Sequence, residues 1–230
     1  MTYWALKIVL SPIFFLVFRI RIVNRRSVPR SGPAILAANH QSFCDSFFLP
    51  LCIVRKVTYL AKAEYFDDPK TAWFFKAAGQ IPIRRGGGDP SRRALDTAHD
   101  VLGQGRIIGL YPEGTRAVDD HVHRGRTGVA RMALESGAPV VPVGLRGTVA
   151  VQPVGKRMMR PFHRVEIRFG TPMHITHADV EAAGSEREAL RTFTDELMAQ
   201  ISTLSGRPYV DTYIESRSPR SPHEDFTKEP

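Results

Sequence analysis

Cysteine is almost absent. Cys44 and Cys52 are the only two in 230 residues, which is too few for a disulfide framework, and their spacing offers no metal-binding set. A reducing, cytosolic setting is the simplest expectation. Acidic residues are also scarce beside basic ones, 23 Asp and Glu against 32 Lys and Arg, which leaves a formal net charge of +9. That excess suits an anionic membrane face, phosphorylated substrates or nucleic acid. No helix-turn-helix, zinc-finger or ribonucleoprotein signature accompanies it, which argues against nucleic acid. No internal repeat is visible, and Gly86-Gly87-Gly88 has the context of a flexible joint rather than of a phosphate loop.

A hydrophobic run long enough for a comfortable membrane span is missing as well. Tyr3 to Phe18 is apolar except for Lys7, Ser11 and Pro12. As a helix it would extend roughly 24 Å, short of the ~30 Å hydrocarbon core, and Pro12 would kink it. It has neither the basic start nor the small-residue cleavage site of a secretory signal. Arg19, Arg21, Arg25, Arg26 and Arg30 follow, placed to meet anionic headgroups. Residues 1–28 are therefore expected to be a monotopic anchor in the cytoplasmic leaflet of the cell membrane. A core helix with a basic loop, or a true single span, are the alternatives.

What is present is ordinary for one globular domain: 43% hydrophobic and 24% charged residues. Strand-like runs occur at 34–38, 57–61, 80–84, 107–111, 140–145 and 165–169. Helical spacing fills 45–54, 69–78, 90–102, 127–136 and 186–204. Asp89-Pro90 reads as a helix start, and Gly137 as a C-cap. Alternation of this kind predicts a single α/β domain over residues 29–205, with a central mostly parallel or mixed sheet flanked by helices. Pro142 inside the 140–145 run predicts an edge strand or a bulge. From residue 206 to 230 the chain turns to Pro, Ser, Arg and Glu, which predicts a flexible tail.

Within this pattern, Asn39-His40-Gln41-Ser42-Phe43-Cys44-Asp45 follows the strand 34–38 directly. In open α/β sheets ligand crevices form at the C-terminal ends of strands. A histidine there can take a proton from an attacking hydroxyl, and an aspartate can hold the ring in the needed tautomer. On an ideal helix five residues rotate about 500°, or 140° net. The two side chains would then not share one helix face, so His40 is expected in the strand-to-helix turn with Asp45 in the helix.

Other strand ends carry polar groups suited to phosphate. Lys62 and Glu64 follow 57–61. Gly79-Gln80-Ile81-Pro82-Ile83-Arg84-Arg85 delivers two arginines, and Tyr111-Pro112-Glu113-Gly114-Thr115-Arg116 leaves 107–110. Arginine presents a planar fork matched to phosphate oxygens, and glycine lets backbone amides approach an anion.

With these motifs in this order, the chain resembles the glycerolipid acyltransferases typified by 1-acylglycerol-3-phosphate acyltransferase. The family's Asn-His-x-Ser-x-x-Asp is complete at Asn39–Asp45. Its Gly-x-Ile-x-Ile-x-Arg matches Gly79 to Arg85, its aromatic-Pro-Glu-Gly-Thr-Arg matches Tyr111 to Arg116, and its Val-Pro-Val matches Val141-Pro142-Val143. Tyr111 stands where phenylalanine is commoner. Ala61-Lys62-Ala63-Glu64 and Gly128–Leu134 resemble two further family segments. The resemblance covers about residues 30–175.

It implies transfer of an acyl group from a thioester on coenzyme A or acyl carrier protein to lysophosphatidic acid, giving phosphatidic acid. It implies His40 as base and Asp45 as its partner, with Lys62, Arg85 and Arg116 on the acceptor phosphate. Glu113, Gly114 and Thr115 would shape the binding turn, with a direct role for Glu113 open. No cofactor or metal is implied beyond the thioester co-substrate. Glycerol-3-phosphate, another lysophospholipid or a glycolipid as acceptor keeps the same chemistry. A non-catalytic basic membrane- or nucleic-acid-binding protein is the reading from another class.

Three residue groups stay outside this scheme. Cys44 would be a covalent nucleophile only if His40 served it, and a small apolar filler is the expected role. His121, His123, His174 and His177 are expected to be solvated loop residues rather than metal ligands. Arg124 and Arg126 would extend the phosphate pocket or meet lipid headgroups.

Overall fold

The computed structural model describes residues 2–83, 90–156 and 158–214. In chain order they form α1 (Thr2–Val17), β1 (Arg21–Val23), β2 (Ala34–Ala38), α2 (Asp45–Leu51), β3 (Val57–Lys62), α3 (Glu64–Asp67), α4 (Pro69–Ala77) and β4 (Ile81–Ile83). Then come α5 (Pro90–Gly103), β5 (Ile107–Leu110), β6 (Val122–His123), α6 (Gly128–Ser136), β7 (Val140–Arg146) and α7 (Thr148–Val151). The chain ends with β8 (Glu166–Phe169), α8 (His177–Ala183), α9 (Glu186–Ser205) and β9 (Tyr209–Val210).

One seven-stranded sheet runs β1-β8-β7-β2-β5-β3-β4. Neighbours are parallel except β7 and β8, so the expected mixed α/β sheet is present. β2 shows why it is central. Its sequence AILAA is wholly apolar and every residue is buried, as a strand covered on both faces must be. Ile35 and Ala37 enter one core with Leu102 of α5, Ala133 of α6 and Leu197 of α9. Ala34, Leu36 and Ala38 enter the other with Phe48 and Leu49 of α2. Because β2, β3, β4, β5 and β7 run parallel, their C-terminal ends share one edge, and the motifs that follow β2, β3 and β5 are gathered there.

Pro142 sits in an interior strand, not at an edge. β7 pairs with β2 on one side and β8 on the other. The bulge half of the expectation holds. Val143 pairs with Phe169, while Val140 bridges Met173, so two residues of β7 face three on the other side. Pro142 accepts the Gly170 N–H there. Its missing N–H would point to the same side, where the ladder is already interrupted.

The C-terminal boundary also needs correction. Residues 206–214 are not a loose tail, because β9 pairs in parallel with β6. Val122 N–H donates to the Pro208 carbonyl at 2.9 Å and Arg124 N–H to the Thr212 carbonyl at 3.1 Å. Residues 215–230, also expected to be flexible, lie outside the described residues, as do Arg84 to Asp89, which include the glycine joint and the predicted N-cap. Two other elements carried sequence signals that a coarse periodicity reading passes over. β1 is entered on an apolar-polar alternation, Ile20-Arg21-Ile22, and α8 opens on a Thr176/Asp179 capping box.

α1 lies on the surface. Phe14 and Phe18 pack their rings against Phe48 at 5.5 and 5.2 Å. The other side of the helix is apolar and exposed at Trp4, Ile8, Val9, Ile13 and Leu16. Among the described residues no helix is long and apolar enough to cross a membrane.

Candidate active site

β2 ends at Ala38, and Asn39 then continues the ladder with its side chain. Its amide accepts from Leu145 N–H at 2.7 Å and donates to the Leu145 carbonyl at 3.1 Å. That clamp holds the chain as it leaves the sheet and enters the turn. His40 lies in this turn and Asp45 is the first residue of α2, as the spacing predicted. His40 Nδ1 and Asp45 Oδ2 are 2.9 Å apart. The same Oδ2 accepts the backbone N–H groups of Gln41 and Ser42 at 2.8 and 2.9 Å. Asp45 is wholly buried and, as a carboxylate, can only accept. Nδ1 must therefore carry its proton toward Asp45, and Nε2 of the neutral ring is left as a free base. The His40 side chain is 17% exposed.

The ring is fixed from a second direction. Tyr111, at the end of β5, stacks on His40 with centroids 3.8 Å apart and planes 11° from parallel. Its hydroxyl meets Ser46 Oγ of α2 at 2.9 Å. Burial pushes the phenol well above its ordinary pKa, so it stays neutral. Tyr59 stacks behind it at 5.7 Å, and only a glycine at position 109 admits that ring, because a Cβ there would lie 2.5 Å from it. The Tyr-for-Phe exchange thus adds a hydroxyl tie that the motif match did not reveal.

Glu113 is buried, with both oxygens engaged. Oε1 accepts the His40 N–H at 3.1 Å and Oε2 the His123 N–H at 3.3 Å. Burial raises its pKa from 4.5 to about 7. Its contribution to folding is therefore fully present below about 4.5 and lost as pH rises through about 7. These bonds make Glu113 a brace between the two motifs rather than a group facing substrate. Gly114 adopts φ 78, in the left-handed region, and turns the chain toward Thr115 and Arg116. Arg116 is exposed and has no acidic partner among the described residues. Lys62 ends β3, paired in register with Ile83 at the end of β4, so its backbone reaches the same sheet edge. Arg85 lies outside the described residues.

The weaker candidates resolve clearly. Cys44 is buried, its thiol is pushed up to about 12 chiefly by burial, and its sulfur lies by Ser42 Oγ and the Thr148 carbonyl. A thiol so held is a packing residue. Cys44→Ala should keep transfer activity within about threefold in a steady-state assay, since it removes one small buried group; complete loss would revive a covalent route. His121 and His123 both bond Asp119, at 3.2 and 2.9 Å, a partner that the spacing had not suggested. No metal-binding group of His, Cys, Asp or Glu occurs among the described residues. His174 is exposed, and His177 begins α8 instead of lying in a loop. Arg124 pairs with Asp211 at 3.4 Å and stacks over Tyr213, while Arg126 is exposed.

Arg207, expected in the flexible tail, is held in the folded domain. It pairs with Asp120, and burial holds its guanidinium below the ordinary arginine pKa. Nothing in the sequence links positions so far apart.

A histidine with a buried carboxylate partner, and an exposed arginine with no acidic partner among the described residues, thus follow strands that end at one sheet edge. The acyltransferase family model matches residues 19–146, more than half of the chain, and the chain belongs to that family. It is similar to the 1-acyl-sn-glycerol-3-phosphate acyltransferase of Bacillus subtilis, 28% identical over 88% of this chain and 94% of that protein. It is also similar to the chloroplastic 1-acyl-sn-glycerol-3-phosphate acyltransferase LPAT1 of Arabidopsis thaliana, 29% identical over 71% of this chain. The match spans only 46% of that plant protein. The crystal structure of the 1-acyl-sn-glycerophosphate acyltransferase PlsC from Thermotoga maritima superposes with a TM-score of 0.65 and 26% identity, over 85% of this chain and 75% of that one.

Proposed function

We propose that this protein transfers an acyl group from a thioester of coenzyme A or acyl carrier protein to the free hydroxyl of 1-acylglycerol-3-phosphate, at the cytoplasmic face of a membrane. The observation that carries this reading is the 2.9 Å contact of His40 Nδ1 with Asp45, which leaves Nε2 unprotonated and open to a hydroxyl. In the proposed reaction Nε2 takes the acceptor's proton while its oxygen attacks the thioester carbonyl. The imidazolium that forms is stabilised by the Asp45 carboxylate and the stacked Tyr111 face. The tetrahedral intermediate expels the thiolate, which recovers the proton from Nε2. Ester and thiol are the products, and the histidine returns to its starting state.

Arg116, exposed and without an acidic partner among the described residues, is assigned to the acceptor phosphate, joined by Lys62 and Arg85 from the same motif set. The Bacillus, Arabidopsis and Thermotoga proteins all bear names for this acceptor, which supports the assignment. The exposed apolar side of α1, followed by Arg19, Arg25, Arg26 and Arg30, supports membrane attachment. Apolar side chains would enter the acyl boundary there while the guanidinium groups meet phosphate.

An acceptor panel tests the reading. With palmitoyl-CoA or palmitoyl-acyl carrier protein as donor, lysophosphatidic acid should be acylated at least tenfold faster than glycerol-3-phosphate, other lysophospholipids or glycolipids. The ratio rests on the ~1.5–3 kcal/mol carried by charge-assisted phosphate contacts and on burial of the acceptor's acyl chain. An inert lysophosphatidic acid beside another acceptor that turns over would reject this acceptor while leaving the chemistry in place.

A further inference from the structure

Between α7 and β8 the chain makes a long excursion that no part of the reaction uses. Phe162 lies in it with φ 66, a left-handed conformation that is an outlier for a bulky side chain. Strain of this kind persists where surrounding contacts hold it, and it concentrates at functional surfaces. Here the ring gains no burial in return, since Phe162 is 70% exposed and nearby Met158 is 83% exposed. The backbone is nonetheless pinned. Phe162 N–H donates to the Val17 carbonyl at 3.0 Å and Val165 N–H to the Phe18 carbonyl at 3.1 Å. The excursion therefore abuts the C-terminal end of α1, beside exposed Leu16.

Its charge is one-sided. The sequence has no acidic residue before Asp45 and none between Glu135 and Glu166. Lys156, Arg160 and Arg164 are all exposed around the two apolar tips. The root of the excursion is tied to the site, because the Gln152 carbonyl accepts Ser42 Oγ of the catalytic turn at 2.7 Å.

We propose that residues 153–156 and 158–164 form a second membrane contact, in which Phe162 and Met158 enter the acyl boundary of an anionic bilayer beside α1. The proposal rests on the membrane attachment argued above and adds a second, separate point of contact. Exposed aromatic and thioether tips ringed by cations fit a lipid surface, with apolar groups in the hydrocarbon and cations at the phosphates. A second copy of this chain fits poorly, since it would bring two basic faces together. Two points of attachment also fix orientation, which one helix cannot do. Through Gln152 and Ser42 the second point holds the catalytic turn toward the surface from which a lipid acceptor arrives.

The test uses the full chain with a single environment-sensitive fluorophore on a Phe162→Cys variant, Cys44 and Cys52 being buried. With phosphatidylglycerol vesicles its emission should shift to the blue and be quenched by brominated acyl chains. The double variant Phe162→Ser/Met158→Ser should bind these vesicles about tenfold or more weakly, the scale expected for two apolar side chains returned to water. Ile8→Ser/Leu16→Ser should weaken binding separately, through α1. Phe162→Gly should weaken vesicle binding while raising Tm by a few degrees, because glycine accepts the left-handed conformation freely. A label that stays in water while the protein is vesicle-bound overturns the proposal. So does a double variant that binds normally, a Phe162→Gly variant with a lowered Tm, or a Phe162-dependent dimer. If the unaltered chain does not bind vesicles at all, the membrane reading itself falls, and this inference with it.

Discussion

His40→Ala should lower kcat by about 10³-fold, the scale of a lost general base, with little change in KM for either substrate. In the proposed mechanism Nε2 acts on the proton only as the hydroxyl attacks, so its removal would be felt in the transition state rather than in binding. The fold should persist. Glu113 holds position 40 through its backbone N–H, and Ala117 N–H donates to its carbonyl at 2.8 Å. Both bonds survive loss of the ring, and α2 still begins at Asp45. Circular dichroism and thermal melting should therefore match the parent within a few degrees, while single-turnover transfer collapses. Activity within tenfold of the parent would remove His40 from the mechanism.

Asp45→Asn should cost about 10²- to 10³-fold in kcat, less than the ~10⁴-fold seen when an amide forces its histidine into the wrong tautomer. The difference lies in what else Asp45 Oδ2 does. It accepts two backbone N–H groups in addition to His40. An asparagine can satisfy those donors only with its oxygen at that place, which also keeps Nδ1–H donating and Nε2 unprotonated. What is lost is the negative charge that favours the imidazolium, together with the strength of three charge-assisted bonds. The amide NH₂ would take the place of Oδ1, which has no hydrogen-bond partner among the described residues. A modest fall in stability should therefore accompany the kinetic loss. Deuterium exchange at the Gln41 and Ser42 amides separates the two effects. Preserved protection with lost kcat supports the electrostatic account, and an unchanged kcat rejects Asp45 as a partner of the base.

Much of the site was legible before the fold, for a local reason. His40, Asp45, Tyr111, Glu113 and Arg116 each lie within a few residues of the end of an apolar strand, and such strands are short, wholly hydrophobic runs. A parallel arrangement then brings their ends together without further instruction. The tautomer-setting turn was legible for the same reason, since it depends on five consecutive peptide units. The edge placement of Pro142 failed because sequence shows a missing N–H but not which neighbour it would have faced. The extra residue lies in the chain opposite, beyond β8. Glu113 looked like a group that could meet substrate, yet its partners are main-chain amides of His40 and His123, one of them far away in sequence. Tyr111 could be read only as an unusual motif residue, because its stack on His40 needs two strands side by side.

The C-terminal segment marks the limit of compositional reasoning. Gly206 to Ile214 reads as polar and proline-bearing, but β9 closes on β6 and Arg207 pairs with Asp120. Two-residue strands carry no periodicity, so no window of sequence could announce them.

By itself the sequence determined the alternation of strands and helices, the turn that pairs His40 with Asp45, and the apolar, basic character of the N-terminus. Each of these is set by residues adjacent along the chain, through backbone geometry and hydrophobic period. Only the tertiary structure decided that Tyr111 and Glu113 brace the histidine, and that α1 keeps one apolar side open. It also placed the Phe162 excursion beside α1 and Arg207 against Asp120. Those relations join segments distant in sequence, and they exist only because both faces of one buried sheet had to be covered.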